Sequence, residues 1–310
     1  MEYRLIVSSS PHAHCGRTTQ TLMAWVLAAL VPAGIMGVYH YGLRAAAVMA
    51  LCVTVSVVSE YLWQKCTERE VTVNDLSAAV TGLLLAFNLP PSIPYWMAAV
   101  GSVFAILVVK QFFGGLGCNV VNPALAGRAM MLASWPAAMT SWTLDGVSTA
   151  TPLALMKAAS PSGALPSMTD MLTGAIGGCI GESCKIALLL GFLILLQKDI
   201  ITWHVPVIFA AGAAAFCTLF GRGAPVADLL SGGLILGAVF MATDYTTSPI
   251  TVKGQIIFAL GCAFLTAVIR RWGGYPEGVS YSILIMNLMV PLIDRATKPR
   301  IFGEVKRHVK

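Results

Sequence analysis

The sequence predicts an all-α integral membrane protein with about ten transmembrane helices, arranged as two inverted repeats of five. Composition is the first observation behind this prediction, because 57% of the 310 residues are hydrophobic and 11% are charged. The mean hydropathy is +0.77, and a soluble domain would carry roughly 25% charged residues. The second observation is that apolar segments recur along the chain on both sides of one polar stretch. The third is that similar motifs appear in the two groups of segments.

The apolar segments fall into two groups. A full membrane crossing needs about 20 apolar residues, and several segments are shorter, so we expect tilted, broken or half-spanning helices among them. The first group lies near 22–38, 43–63, 76–89, 94–112 and 123–135, and the second near 175–196, 203–220, 229–242, 254–269 and 279–293.

These segments define five regions of the chain. The predicted regions are a cytoplasmic N-terminal segment (1–20), a first five-helix repeat (21–135), an outward-facing loop (136–172), a second five-helix repeat (173–294) and a basic cytoplasmic tail (295–310).

Paired motifs indicate the repeat. Asp75-Leu-Ser begins one Gly/Leu-rich helix and Asp228-Leu-Leu-Ser begins another, and both aspartates are interpreted as helix N-caps. Phe112-Phe-Gly-Gly precedes one final helix, and Arg271-Trp-Gly-Gly precedes the other. Since five crossings reverse the direction of the chain, the two repeats must be inverted, and inverted repeats with Gly/Pro-interrupted helices place a site between the halves.

Basic residues predict the orientation. With the N-terminus inside, the cytoplasmic segments collect most of the twenty Lys and Arg residues. Both termini are then cytoplasmic, in the inner membrane of the cell, and the 136–172 loop faces outward. The net charge of +6 is not a signal for nucleic acid, because six basic residues lie in the last sixteen positions. Such a tail is typical of a membrane-surface anchor.

The eight cysteines exclude one class of cofactor site. None forms a Cys-x-x-Cys pair, so the sequence predicts no iron–sulfur or zinc site and no other metal site. We expect most of the cysteines to be small buried residues.

The polar loop contains the stretch 145–153, Asp-Gly-Val-Ser-Thr-Ala-Thr-Pro-Leu. Pro152 biases Thr151 toward an extended backbone, which predicts a displayed Thr151 hydroxyl. The alternative from the residues alone is a loop in which Ser and Thr only bond nearby backbone groups.

The pattern Asp145-x-x-Ser148-x-Ala150-Thr151 resembles the flavinylation signature of a known family, the membrane subunits of Rnf complexes and of sodium-pumping NADH:quinone reductases. The resemblance implies FMN joined by its phosphate to Thr151 by a flavin transferase. Asp145, Ser148 and Ala150 would form the recognition frame. Thr149 stands where the family usually has glycine, so a second hydroxyl lies beside the expected acceptor.

Further stretches resemble the same family, and more closely its Rnf D-subunit branch than the quinone-reductase B-subunit branch. The family implies electron transfer between ferredoxin and NAD, coupled to Na⁺ or H⁺ translocation. Iron–sulfur subunits and a second flavin-carrying subunit would be partners, and no catalytic residue is expected in this chain, which has no dinucleotide-binding glycine loop. The resembling stretches are 75–91, 110–127, 178–182, 240–249 and 270–287.

A Gly-rich break at 113–123 is the candidate for a second cofactor site. Irregular backbone at membrane depth is tolerated where it is buried or lines a cavity. Asn119 and Asn122 are candidates to bind the non-covalent riboflavin that the family is thought to hold, or else they satisfy backbone groups freed by the break. Asp244, at the end of an apolar helix beside several threonines, is a candidate ion or cofactor contact.

Two other functions fit the architecture. Inverted repeats with broken helices also suit a small-solute or ion channel or transporter without a redox cofactor. A membrane scaffold within a complex is the third possibility. The Thr151 loop discriminates between these functions, because neither alternative needs a phosphoester-linked flavin.

Overall fold

The protein is almost entirely helical, as predicted. A computed structural model describes residues 18–144, 147–148, 151–157 and 166–299. Within these residues there are two strands of two residues each, β1 (Thr143–Leu144) and β2 (Val147–Ser148), which form an antiparallel hairpin. The predicted N-terminal segment and the predicted basic tail lie largely outside the described residues.

The first half contains the five predicted helices. Thr18 caps the first helix by accepting a hydrogen bond from the Thr21 amide at 3.2 Å, and Asn122 caps the fifth with Pro123 at its first position. The helices are α1 (Thr19–Tyr41), α2 (Leu43–Cys66), α3 (Ser77–Phe87), α4 (Tyr95–Phe104), which a π-helical turn (Ala105–Gln111) continues, and α5 (Pro123–Ser134).

The segment between the halves carries only short helices in its described part. They are too short to cross a membrane, in agreement with the predicted loop. They are α6 (Pro136–Met139), α7 (Pro152–Lys157) and α8 (Met168–Thr173).

The second half departs from the predicted boundaries at two places. The segment predicted at 175–196 becomes helical only at Lys185, and the segment predicted at 229–242 is broken at Gly232, whose φ of +64° is a left-handed conformation that favours glycine. The helices are α9 (Lys185–Gln197), α10 (His204–Leu219), α11 (Pro225–Leu230), α12 (Leu234–Leu236), which a π-helical turn (Gly237–Met241) continues, α13 (Val252–Trp272) and α14 (Val279–Thr297).

Residues 174–184 replace the missing turns of the 175–196 segment with irregular buried backbone. Two amides of residues 174–184 bond the end of α3 and the residues after it. Ile180 N donates to Leu89 O at 3.1 Å, and Gly181 N donates to Phe87 O at 3.0 Å. The freed backbone groups are thereby satisfied inside the protein, as the membrane environment requires.

The chain is a multi-pass membrane protein. Four helices, α1, α2, α13 and α14, are long and apolar enough to cross a membrane, and shorter apolar helices span 77–87, 95–111, 185–197 and 204–219. Large apolar side chains on these helices face outward; Leu43, for example, is 84% exposed. Such a surface is favourable against lipid and unfavourable against water.

Equivalent helices of the two halves meet each other. The first helices, α1 and α9, pack together, and so do the fifth helices, α5 and α14. The α1–α9 contact is close, because a Cβ added at Gly191 would lie 2.3 Å from the Ala29 carbonyl oxygen. This pairing fits an approximate two-fold relation between the halves, while the inverted orientation in the membrane stays a prediction.

Candidate functional site

Thr151 lies on the wall of a cavity of about 290 Å³, which we call the Thr151 cavity. The cavity is formed by α5, the segment between the halves and the beginning of α14, so both halves contribute to it. Its volume is close to the lower end of the roughly 300–1,000 Å³ of small-molecule sites. Its walls include the aromatic side chains of Trp142, Tyr275 and Tyr281.

Contrary to our expectation, the Thr151 hydroxyl is not displayed to solvent. Thr151 is 6% exposed, and its Oγ1 accepts a hydrogen bond from the Ala154 amide at 3.3 Å, at the start of α7. The expectation was wrong because α7 folds back onto the protein, with Leu153 1% exposed. The hydroxyl therefore caps a helix, as the alternative interpretation of the loop had it, and also lies at a cavity.

The end of α7 is held by Lys157. Its ammonium group donates to the carbonyl oxygens of Gly273 and Tyr275, the latter at 3.3 Å. Partial desolvation, together with the charge of Arg222, lowers the pKa of Lys157. These contacts tie the loop to the turn before α14.

The recognition frame around Thr151 is only partly described. Asp145, Thr149 and Ala150 lie outside the described residues. Ser148 is described through its backbone, which pairs with Thr143 in the β1–β2 hairpin. The roles given to these four residues stay predictions.

Arg128 is the charged residue of the Thr151 cavity. It is 6% exposed, forms an ion pair with Glu277, and donates to Ser280 Oγ at 2.6 Å. Its Nε has no hydrogen-bond partner among the described residues. Sequence reasoning missed Arg128 as a site residue, although a single arginine inside an apolar segment was a usable signal.

One group of side chains has the geometry of metal ligands. Potential ligand atoms of Cys179, Glu182 and Glu277 all lie within 4.8 Å of one another. Arg128 donates to both Cys179 Sγ, at 3.7 Å, and Glu277. The guanidinium thus occupies the cation position, and we assign no metal to this group.

A second cavity, of about 280 Å³, brings together the other three candidates, Asn119, Asn122 and Asp244. We call it the Asn122 cavity. No sequence signal places Asp244 beside the two asparagines, which lie more than a hundred residues earlier. The juxtaposition arises because Asn122, the N-cap of α5, donates to the carbonyl oxygen of Met241, at the end of the π-helical turn before Asp244.

The two asparagines differ in what they bind. Asn122 Oδ1 accepts from the amides of Ala124 and Leu125 at 3.1 and 3.3 Å, and its Nδ2 donates to Met241 O at 3.3 Å. Asn122 therefore satisfies backbone groups, as the alternative interpretation had it. Asn119 Oδ1, by contrast, is buried and has no partner in the described part of the chain.

Asp244 is half-buried among hydroxyl groups. Its Oδ2 accepts from Thr246 Oγ1 at 3.1 Å and from Thr247 Oγ1 at 3.2 Å. The nearby Thr243 hydroxyl donates instead to Val239 O at 2.5 Å. Asp244 and Asn119 each keep capacity to accept further hydrogen bonds in this cavity.

A chain of hydrogen bonds connects the two cavities. From the Asn122 cavity, Asn122 Nδ2 donates to the carbonyl oxygen of Met241. Asn88 Nδ2 donates to the sulfur of the same residue at 3.6 Å. Cys179 Sγ donates to Asn88 O at 3.3 Å, and Arg128 donates in turn to Cys179. Met241, Asn88 and Cys179 thus link the two cavities by contacts that reach different atoms of each residue.

The two aspartates interpreted as N-caps behave differently. Asp75 Oδ1 accepts from the Ser77 amide at 2.8 Å and so satisfies the first amide of α3, but the N-cap residue of α3 is Leu76, one position later than predicted. Asp228 lies inside α11 and is 1% exposed; it pairs with Arg222 at 2.9 Å and lies 3.7 Å from Arg270. The N-cap prediction for Asp228 was wrong, because the two buried guanidinium groups supply its partners.

The fold and the cavities define a class of protein, a polytopic membrane protein with two related halves and two cavities at their boundary. A family model described as the NQR2, RnfD, RnfE family matches residues 6–303. The chain belongs to this family.

Similar proteins cover almost the whole chain. One is the D subunit of the Na⁺-translocating ferredoxin:NAD⁺ oxidoreductase complex of Acetobacterium woodii, 53% identical, with 98% of this chain and 97% of the relative covered. The D subunit of the proton-translocating ferredoxin:NAD⁺ oxidoreductase complex of Clostridium ljungdahlii is 44% identical, with 96% of each chain covered. The D subunit of an ion-translocating oxidoreductase complex of Aliivibrio salmonicida is 34% identical, with 97% and 99% covered.

Proposed function

We propose that this chain is the D subunit of an ion-translocating ferredoxin:NAD⁺ oxidoreductase complex in the inner membrane. It passes electrons through FMN bound covalently at Thr151, while other subunits handle ferredoxin and NAD. Full-length similarity to three D subunits supports the assignment to the complex. Because one relative is named for Na⁺ and another for protons, the pumped ion is left open.

The position of Thr151 on the wall of the Thr151 cavity carries the covalent-flavin part of the proposal. A flavin supplies one- or two-electron redox chemistry when bound, and the protein supplies position and electrostatics. Tyr275 and Tyr281 lie with their ring centroids 6.5 Å apart and nearly parallel, at 22°, as a flat wall for a heterocycle. Arg128 supplies a buried positive charge that favours an anionic ligand.

The Asn122 cavity is the proposed site of a non-covalent riboflavin. Asn119 Oδ1 accepts a hydrogen bond from a ring N–H in this proposal, which relieves the cost of an unpaired buried acceptor. Asp244 accepts from a second donor. Apolar side chains such as Leu84 and Phe240 cover the faces of the ring.

The proposed partners follow from the same assignment. They are a second flavin-carrying subunit, iron–sulfur subunits and a flavin transferase, with the bilayer around the apolar surface. Both termini are cytoplasmic in this proposal, and the Thr151 loop faces outward.

The decisive experiment is ultraviolet fluorescence of the chain on a denaturing gel, after expression with a flavin transferase. Wild type, Thr151→Ala and Thr149→Ala are compared. We expect fluorescence in the wild type and in Thr149→Ala, and none in Thr151→Ala. Fluorescence that disappears only in Thr149→Ala would move the acceptor by two residues.

Absence of fluorescence in all three proteins, with a transferase shown to be active on another substrate, would refute the covalent flavin. The channel and scaffold functions would then be the ones to pursue.

The second flavin is tested by acid extraction of the purified complex. Asn119→Leu removes the unpaired acceptor, and Asn74→Leu removes an exposed amide as the matched control. We expect extractable flavin to fall in Asn119→Leu and to stay at the wild-type level in Asn74→Leu. Equal amounts in both variants would exclude Asn119 from the site.

A further inference from the structure

A buried lysine borders the Asn122 cavity. Lys110 is 1% exposed and lies at the end of the π-helical turn that continues α4. Its Nζ donates to Glu60 Oε1 at 2.8 Å, to Glu60 Oε2 at 3.0 Å, and to Ser77 Oγ at 2.6 Å. A fully buried ammonium group on a cavity wall is costly, and such groups often mark function.

The π-helical turn is what brings this group into place. Lys110 and Gln111 are adjacent in sequence, yet both are buried and both donate to Glu60, Gln111 through Nε2 at 2.7 Å. In a regular α-helix neighbouring side chains diverge by about 100°. Single π-helical turns are frequent at functional sites.

Ser77 joins Lys110 to a second, wider pocket. The Ser77 hydroxyl accepts from Lys110 and donates to Asp75 Oδ1 at 2.6 Å. Asp75 lies on the wall of a pocket of about 440 Å³, whose walls include the exposed residues Arg69 and Glu70. Three side chains in hydrogen-bond contact therefore run from this solvent pocket to the Asn122 cavity, and Thr19 and Leu116 line both.

We propose that Asp75, Ser77 and Lys110 form a proton-transfer chain from the solvent pocket into the Asn122 cavity. Lys110 and Ser77 carry exchangeable protons, the Asp75 carboxylate can take one from solvent, and each neighbouring pair is 2.6 Å apart. The inference rests on the proposed function, because the proton acceptor is a nitrogen of the reduced flavin in that cavity. The charged groups around Lys110 are Glu60, Asp75 beyond Ser77, and Asp244 on the wall of the same cavity.

Lys110 releases one of its bonds to Glu60, gives a proton to the acceptor and becomes a neutral amine. The Asp75 carboxylate takes a proton from solvent, the Ser77 hydroxyl turns and donates its own proton to Nζ, and Ser77 Oγ takes the proton of Asp75, which returns to a carboxylate. One solvent proton is consumed and one N–H bond forms. No electron passes along the chain, since the electron comes from a one-electron carrier on a neighbouring subunit.

Glu60 favours the return of Lys110 to its protonated state. When Lys110 is neutral, Glu60 is a buried carboxylate without a counter-charge, bonded among the described residues only to the side-chain amides of Gln111 and Gln64, which is unfavourable. Reprotonation of Lys110 through Ser77 restores the ion pair. Glu60 is thus a positioning residue for Lys110 and does not itself contact the cavity.

The test measures proton uptake in the purified complex in nanodiscs, in unbuffered solution with a pH-indicator dye. A light-driven one-electron donor reduces the flavin, and flavin absorbance is followed beside the dye. We expect Ser77→Ala to slow proton uptake roughly a hundredfold, as for loss of a proton-transferring side chain. Ser77→Thr should restore the rate, and a small weak acid such as hydrazoic acid should rescue Ser77→Ala.

The matched control is Ser102→Ala. Ser102 is also a fully buried helical serine, and its hydroxyl donates only to Ala98 O at 2.9 Å. We expect its uptake rate to equal that of the wild type. If Ser77→Ala contains the flavin and takes up protons at the wild-type rate, the proton-transfer proposal is overturned and the second-flavin proposal stands. If the wild-type complex contains no extractable flavin, both proposals are overturned.

Discussion

Each half places a buried cation near the end of its fourth helix, but the two cations have different surroundings. Lys110 ends the fourth helix of the first half, and Arg270 ends the fourth helix of the second. Lys110 contacts a carboxylate and a hydroxyl. Arg270 is fully buried and donates to backbone carbonyl oxygens: to Asp228 O at 2.6 Å and, at 3.3 Å, to Ser231 O and Glu277 O.

This difference separates a structural cation from a functional one. Carbonyl oxygens cannot release protons, and a guanidinium does not lose its proton in proteins, so Arg270 only fastens helices together. A lysine bonded to a serine hydroxyl beside a cavity can exchange its proton.

The largest effect is expected for Arg270→Met, which removes the cation of the second half. Three carbonyl groups lose their donor and Asp228 keeps only Arg222, so we expect a loss of about 3–5 kcal/mol in the free energy of unfolding, as for a broken buried ion pair. Thermal unfolding in detergent, followed by size-exclusion chromatography, measures it. Arg271→Met is the matched control, since Arg271 is exposed and should change stability by less than about 0.5 kcal/mol. Equal stability of the two variants would contradict the structural role of Arg270.

The next effect concerns the first half, where Lys110→Met leaves the buried Glu60 without a counter-charge, bonded in the described part of the chain only to the side-chain amides of Gln111 and Gln64. We expect a loss of about 3 kcal/mol. The double variant Glu60→Gln/Lys110→Met should recover most of that stability, because a buried pair can be replaced by neutral groups at little cost. Its proton uptake should stay slow. Recovery of both properties would show that Lys110 is a structural residue like Arg270.

A smaller effect is expected where the halves meet. Gly191→Ala places a Cβ 2.3 Å from the Ala29 carbonyl, so α1 and α9 must move apart, at a cost of about 1–3 kcal/mol. Gly274→Ala is the control, because a Cβ there meets nothing within 4 Å. The same thermal unfolding assay applies. If Gly191→Ala matched its control, the close contact between the halves would not contribute to stability.

The sequence predicted the fold better than the site, and particular residues show why. Hydropathy and the paired motifs predicted five helices on each side of the loop, since helix burial in lipid is a local property of composition. The irregular backbone before Lys185 was missed because its hydrogen bonds go to the end of α3, almost a hundred residues earlier. The role of Asp228 was predicted wrongly because its partners lie outside α11: Arg222 precedes that helix, and Arg270 belongs to α13. Likewise, the Lys110–Ser77–Asp75 contacts depend on a π-helical turn that hydropathy does not reveal.

The smallest effect is expected in the segment between the halves, at Thr151. Its hydroxyl caps α7 through one hydrogen bond of 3.3 Å, and loss of such a cap costs about 1 kcal/mol. Ser167→Ala is a fair comparison, because the Ser167 hydroxyl caps α8 by accepting from the Asp170 amide at 3.2 Å. Both variants should therefore unfold within a few degrees of the wild type, roughly 2–4 °C per kcal/mol for a chain of this size or somewhat smaller. If Thr151→Ala were instead as unstable as Arg270→Met, its missing fluorescence would report unfolding and not the loss of the flavin acceptor.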